Sequence, residues 1–123
     1  MFRRTYFLFA VVALTAVLLA ACGGSGGGSS SGNALNVTVA NTEFKFDPAM
    51  INAAPGQTIN LTVTNKGAIQ HTFIIAQANL KVTIEPGQTQ TKTFTAPAAG
   101  TYVIDCDVPG HREAGMVGQL VVK

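Results

Sequence analysis

The sequence predicts an all-β protein: a Greek-key β-sandwich of about seven to eight strands, preceded by a signal peptide and a flexible linker. Three observations point there. Several runs after residue 34 alternate apolar and polar residues with period two, the pattern of strands with one face in a core. Turn signals built on Gly and Pro separate those runs. No stretch after residue 34 sustains a helical period.

The N-terminus precedes that domain. Arg3 and Arg4 are followed by an apolar run from Tyr6 to Ala21, interrupted only by Thr15. Charge followed by an apolar run is the order of an export signal, and the run is short for a membrane-spanning helix, which takes about 20 apolar residues. It ends in Leu19-Ala20-Ala21-Cys22, which looks like a bacterial lipobox. Residues 1–21 are therefore expected to be a lipoprotein signal peptide, with Cys22 acylated. An ordinary signal with an incidental cysteine, or an uncleaved anchor, is the competing reading. Gly23 to Ala34 reads GGSGGGSSSGNA, which cannot bury apolar surface and acts as a tether. Its reach is on the order of 20 Å at about 5–6 Å × √n.

The domain expected over residues 35–123 then follows strand by strand. Leu35, Val37 and Val39 alternate with Asn36, Thr38 and Ala40, and Ile59, Leu61 and Val63 with Asn60, Thr62 and Thr64. His71 to Gln77 holds Phe73-Ile74-Ile75, apolar on both faces, as in a central strand. Leu80 to Ile84 is short, and Gln88 to Phe94 is Thr-rich and polar, as suits an edge. Thr101 to Cys106 and Val117 to Lys123 complete the set, with Pro55-Gly56, Lys66-Gly67, Pro86-Gly87 and Pro97-Ala98-Ala99-Gly100 as turns. This many short strands in one small domain favours a sandwich.

Charge and cysteine content narrow the function. Of 8 Lys and Arg, Arg3 and Arg4 leave with the signal, so 6 basic residues face 6 acidic ones. No basic stripe suggests nucleic acid. With Cys22 lipidated, Cys106 is a lone thiol in an oxidising compartment, a liability unless buried, reactive or bound to metal.

The chemistry concentrates near the C-terminus, in Cys106-Asp107-Val108-Pro109-Gly110-His111-Arg112-Glu113-Ala114-Gly115-Met116. Spacings of five, Cys106 to His111 and His111 to Met116, do not fit one face of a strand. Pro109-Gly110 and Gly115 break a helix. The segment is thus a loop leaving the end of the Cys106 strand, able to wrap three side chains around one point. His71, the other of the chain's 2 histidines, starts a strand that can approach the same point. One thiolate, two imidazoles and a thioether form the donor set of a blue-copper electron-transfer site. Zinc is the rival metal, although Met is a poor donor for it. Taken singly, each residue has a plainer reading: His71 a core histidine, His111 an exposed loop residue, Met116 packing, Cys106 an inert buried thiol. Their joint pattern favours metal.

On these residues the chain resembles the cupredoxins, small blue-copper proteins of the auracyanin and azurin type. The resemblance spans about residues 35–123. It rests on C-D-V-P-G-H-R-E-A-G-M with the following V-G-Q-L-V-V, on E-F-K-F-D-P-A-M-I-N-A-A-P-G-Q-T, and on N-K-G-A-I-Q-H. It implies one copper ion near one end of a two-sheet sandwich, with His71, Cys106 and His111 as equatorial ligands and Met116 as the axial one. It also implies that the ring edge of His111 is the electron port; a docking partner is then expected on a small apolar rim of Val108, Pro109 and Ala114, with Ala68 and Ile69. Thr72 replaces the Asn with which many relatives tie the ligand loops together, and Gln70 replaces an azurin glycine. Asp107 follows the cysteine, and Val108 keeps an N–H that can reach the thiolate, which Pro109 does not.

The function expected is therefore electron transfer rather than catalysis. The protein would be exported to the periplasmic side of a bacterial membrane, tethered by its lipid. It would exchange electrons with redox proteins such as a cytochrome or a membrane electron-transfer complex, and take no small-molecule substrate. A multicopper oxidase needs further histidines beside the cysteine, where this chain has Asp105 and Asp107. A copper-delivery module of the envelope is the alternative, and a metal-free binding domain the remaining one.

Overall fold

The computed structural model describes residues 32–123; the signal-peptide and lipidation readings, and the linker up to residue 31, lie outside them. Nine strands are present among the described residues: β1 Leu35–Thr42, β2 Lys45–Asp47, β3 Met50–Ala53, β4 Thr58–Asn65, β5 His71–Ile75, β6 Leu80–Ile84, β7 Thr89–Thr95, β8 Gly100–Asp105 and β9 Val117–Val122. They form a four-stranded sheet, β2-β1-β4-β7, facing a five-stranded sheet, β3-β9-β8-β5-β6. The chain crosses repeatedly between the two, which is the Greek-key sandwich expected. Seven of these strands are expected from the sequence, β1 and β4 by their period two; β2 and β3 are too short to show a period.

Alternation decides which face each strand buries. In β4, Ile59, Leu61, Val63 and Asn65 point inward while the intervening residues do not. β6 and β9 behave alike, burying Leu80, Val82 and Ile84, and Gly118, Leu120 and Val122. β5 is interior to its sheet and buries residues on both faces, His71, Thr72, Phe73 and Ile75. β7 is an edge strand burying only Phe94, and its threonines bond across to β4, as in Thr64 Oγ1 to Thr89 Oγ1 at 2.9 Å. Phe46 and Phe73 meet edge-on at 5.3 Å between the sheets, a favourable aromatic geometry.

β5 ends two residues earlier than its apolar pattern suggests. A 3-10 turn spans Ala76–Ala78, and Asn79 closes it at φ 49, its N–H donating to Ala76 O. Asn tolerates this left-handed conformation better than most residues.

Gly118 fixes how closely Ala49, the residue leading into β3, approaches the neighbouring strand β9. A Cβ there would lie 2.5 Å from Ala49 O, the oxygen that accepts the Gln119 N–H at 2.8 Å.

Candidate metal centre

β8 and β9 are antiparallel neighbours, with Ile104 paired to Gly118 and Asp105 to Val117. The Cys106–Met116 loop therefore closes a hairpin. Ile104 and Gly118 face the core, so Cys106 and Met116, each two residues on, face it too. Both are fully buried. Between them the loop folds on itself: His111 N–H donates to Val108 O at 3.0 Å, Gly115 N–H to Arg112 O at 2.9 Å, and Met116 N–H to His111 O at 3.0 Å. Gly110 and Gly115 take φ 84 and 100, where a side chain is strained. These two glycines let eleven residues coil tightly enough to turn His111 inward. An Arg112–Asp105 ion pair ties the loop to β8.

β5 brings His71 from the neighbouring strand. Three ligand-type atoms, one each from His71, Cys106 and His111, lie within 4.8 Å of one another. His71 Nδ1 is 3.2 Å from His111 Nδ1, and Cys106 Sγ is 3.4 Å from His111 Nδ1. His71 and Cys106 are fully buried and His111 is 4% exposed. Burial pushes the His71 pKa down, His111 adds to this, and Glu43 partly opposes it. A neutral imidazole keeps a lone pair to give, and one thiol with two imidazoles converging at a buried point fits one thiophilic transition-metal ion.

The sulfur has a partner on β5. Thr72 N–H donates to Cys106 Sγ at 3.3 Å. The sequence points instead to the Val108 N–H; register explains the difference. Ile74 pairs with Asp105, which continues to Thr72 opposite Asp107. The Thr72 hydroxyl donates to Asp107 Oδ1 at 2.8 Å and accepts the Asp107 N–H at 3.0 Å. Thr72 thus joins the His71 and Cys106 segments directly. Asp107 also meets Lys81 Nζ at 2.6 Å, and the Lys81 and Thr72 contacts hold its pKa below the usual carboxylate range. Gln70 bonds Glu85 through its side chain.

Asn65 secures the approach to His71. Its Nδ2 donates to Ile69 O at 2.7 Å and Ile84 O at 2.9 Å, and its Oδ1 accepts the Gly67 N–H at 2.8 Å.

Two residues that the sequence does not single out border the site, both in the turn between β1 and β2. Glu43 Oε1 accepts the N–H groups of Ala68 at 2.6 Å and Ile69 at 3.2 Å and lies 3.6 Å from His71 Nε2. Amide hydrogen bonds, first its own backbone N–H and then that of Ala68, lower its pKa. Phe44 packs edge-on against His111, ring centroids 5.1 Å apart. Of the expected rim, Pro109, Ala114, Ala68 and Ile69 are exposed and Val108 is half-buried. His111 itself reaches the surface by only 4%, with Phe44 packed against it.

A family model described as a cupredoxin-like domain matches residues 8–122. The chain is 30% identical over 105 residues to the copper-resistant cuproprotein CopI of Rubrivivax gelatinosus, covering 69% of this chain and 64% of that relative. It is 32% identical over 111 residues to auracyanin-A of Chloroflexus aurantiacus, covering 65% of this chain and 68% of the relative. The chain thus spans slightly less than two thirds of the length of CopI. Reduced auracyanin from Roseiflexus castenholzii superposes with a TM-score of 0.66 at 28% identity, over 73% of this chain and 98% of that one.

Proposed function

This chain belongs to the cupredoxin-like family, and on that premise we propose that it holds one copper ion and carries single electrons between redox proteins. The observation that carries the reading is the convergence of His71, Cys106 and His111 on one buried point. His71 Nδ1, Cys106 Sγ and His111 Nδ1 would be the strong donors, and the Met116 thioether the weak fourth. Copper in such a donor set supplies a one-electron couple, Cu(I)/Cu(II). The protein's part is to hold the donors still. The Met116 to His111 and Thr72 to Cys106 hydrogen bonds restrain both ends of the loop, so the donor atoms move little between oxidation states. Electrons would pass at the His111 edge, beside Phe44. The relatives named as auracyanins support this assignment.

Both histidines of the chain are used in the site, leaving none for a further copper cluster, so the reading is a carrier and not an enzyme. The similarity to CopI, a copper-resistance protein by name, favours a second reading, copper handling in the cell envelope. Burial of the donors argues for slow release and against that role. Tethering through Cys22, on the outer side of a bacterial membrane, completes the proposal. Cys22→Ala should release the protein from membranes with the copper site intact; retention after normal signal cleavage would sink the lipid anchor.

The direct test is to add one equivalent of Cu(II) to the purified protein and to Cys106→Ser. An intense blue thiolate-to-copper band, bleached by ascorbate and missing in the variant, is expected. A colourless wild-type complex would reject the reading. Rapid loss of the ion to a chelator would favour copper handling.

A further inference from the structure

We propose that Glu43 is a positioning residue for the metal centre, holding the Nε2 side of His71 so that Nδ1 faces the ion. The proposal rests on reading His71 as a ligand. Glu43 belongs to the turn between β1 and β2, in one sheet, whereas His71 opens β5 in the other. Their contact therefore bridges the sandwich at its metal end.

Three observations converge on the carboxylate. Its Oε1 accepts two amides, Ala68 N–H at 2.6 Å and Ile69 N–H at 3.2 Å, so its position is fixed by backbone. Gly67 lies directly beneath: a Cβ built there would stand 2.7 Å from the carboxyl carbon, so only glycine leaves the seat open. Lys66-Gly67 reads as a turn signal in the sequence, yet Gly67 is needed for this close approach rather than for an unusual φ. Finally, His71 Nε2 is buried without a hydrogen-bond partner, and the carboxylate oxygen is 3.6 Å away.

At 3.6 Å the contact is electrostatic rather than a formed hydrogen bond. Its effect on the ring is nonetheless directional. A buried imidazole N–H is costly without a partner, and the carboxylate is the negative charge that faces it on that side. It favours the tautomer with the proton on Nε2, leaving the Nδ1 lone pair aimed at Cys106 and His111. Carboxylates behind ligating histidines commonly act this way, setting ring orientation and raising ligand basicity. A fixed negative charge one imidazole away from copper also stabilises Cu(II) more than Cu(I).

The test uses full-length protein and three variants. Glu43→Gln keeps the shape and removes the charge. Glu43→Ala removes the seat's occupant. Gly67→Ala displaces the carboxylate without altering any charge. Two readouts separate positioning from a merely structural turn: the His71 ring tautomer by 15N NMR of the metal-free protein, and the reduction potential of the copper form. In wild type, Nε2–H should dominate at His71. Glu43→Ala and Gly67→Ala should mix the tautomers and weaken Cu(II) binding about 10-fold or more. In all three variants the potential should rise, a tenfold change in the Cu(II)/Cu(I) affinity ratio being about 59 mV. Folded variants with unchanged tautomer and potential would overturn the proposal and leave Glu43 as a turn cap. Should Glu43→Ala not fold, Glu43→Gln and Gly67→Ala decide. Wild type lacking a blue band would reject the copper reading alone, because the metal-free tautomer still tests Glu43.

Discussion

Thr72 grips the residue pair Cys106-Asp107 from the adjacent strand: its N–H points at Cys106 Sγ from 3.3 Å, and its hydroxyl both gives to and takes from Asp107. A shorter side chain than Asn closes this link because Asp107 supplies the missing length. The tie between the two ligand segments is therefore a two-residue device, with Lys81 anchoring its outer end.

Thr72→Val tests the hydroxyl alone, since it keeps the side-chain shape and the N–H on the sulfur. Thr72 is 3% exposed, and its loss leaves the Asp107 N–H without its partner. Metal-free stability should fall by about 1–2 kcal/mol at roughly 1 kcal/mol per hydrogen bond, read from urea unfolding. Thr72→Ser should recover most of it. An unchanged midpoint in Thr72→Val would mean the hydroxyl contributes nothing to the link.

Met116 is fully buried at the foot of β9. Met116→Leu preserves volume, so stability should change by less than about 1.5 kcal/mol. Copper should still bind, and the reduction potential should rise as a weak donor to Cu(II) is lost. A lowered potential, by voltammetry, would refute the axial role.

Gly118→Ala probes packing beneath the site. The added methyl meets the Ala49 carbonyl at 2.5 Å, and backbone has nowhere simple to go. Overpacking of this kind costs about 1–3 kcal/mol, and at roughly 4–8 °C per kcal/mol for a small domain the melting temperature should drop clearly. A Tm within one or two degrees of wild type would show that β3 can shift away.

The contrast between Met116 and Glu43 marks what a sequence reveals. Cys106, His111 and Met116 fall within eleven residues, and the intervening Pro109-Gly110 and Gly115 admit only a loop there. His71 joins them as the remaining histidine, on a strongly apolar strand. Long strands such as β1 and β4 announce themselves by period two, whereas β2, with three residues, is too short to carry a period. Glu43 and Phe44 acquire their roles only when β1 and β5, far apart in sequence, close the metal end of the sandwich. Nothing local distinguishes this Glu from any other turn carboxylate. The sulfur's amide partner is hidden for the same reason: the sequence shows neighbours along the chain, such as Val108, and Thr72 is a neighbour across the sheet.

Phe44 gives the last test, because it changes where electrons should enter. It is 40% exposed and packs edge-on against His111, which is 4% exposed. The aromatic contact is worth about 0.5–1.5 kcal/mol, so Phe44→Ala should fold and bind copper normally. Removing the ring uncovers His111, and reaction with a small inorganic oxidant such as ferricyanide, followed by stopped-flow loss of the Cu(I) form as the blue Cu(II) band grows in, should quicken. A protein partner that rests on Phe44 would instead react more slowly, since the variant loses apolar contact area. His111→Gly should slow both reactions, with added imidazole partly restoring them. If Phe44→Ala leaves both rates unaltered and His111→Gly does too, electrons do not cross at this edge. The port must then lie on the Cys106 side, where Asp107 and Lys81 reach the surface.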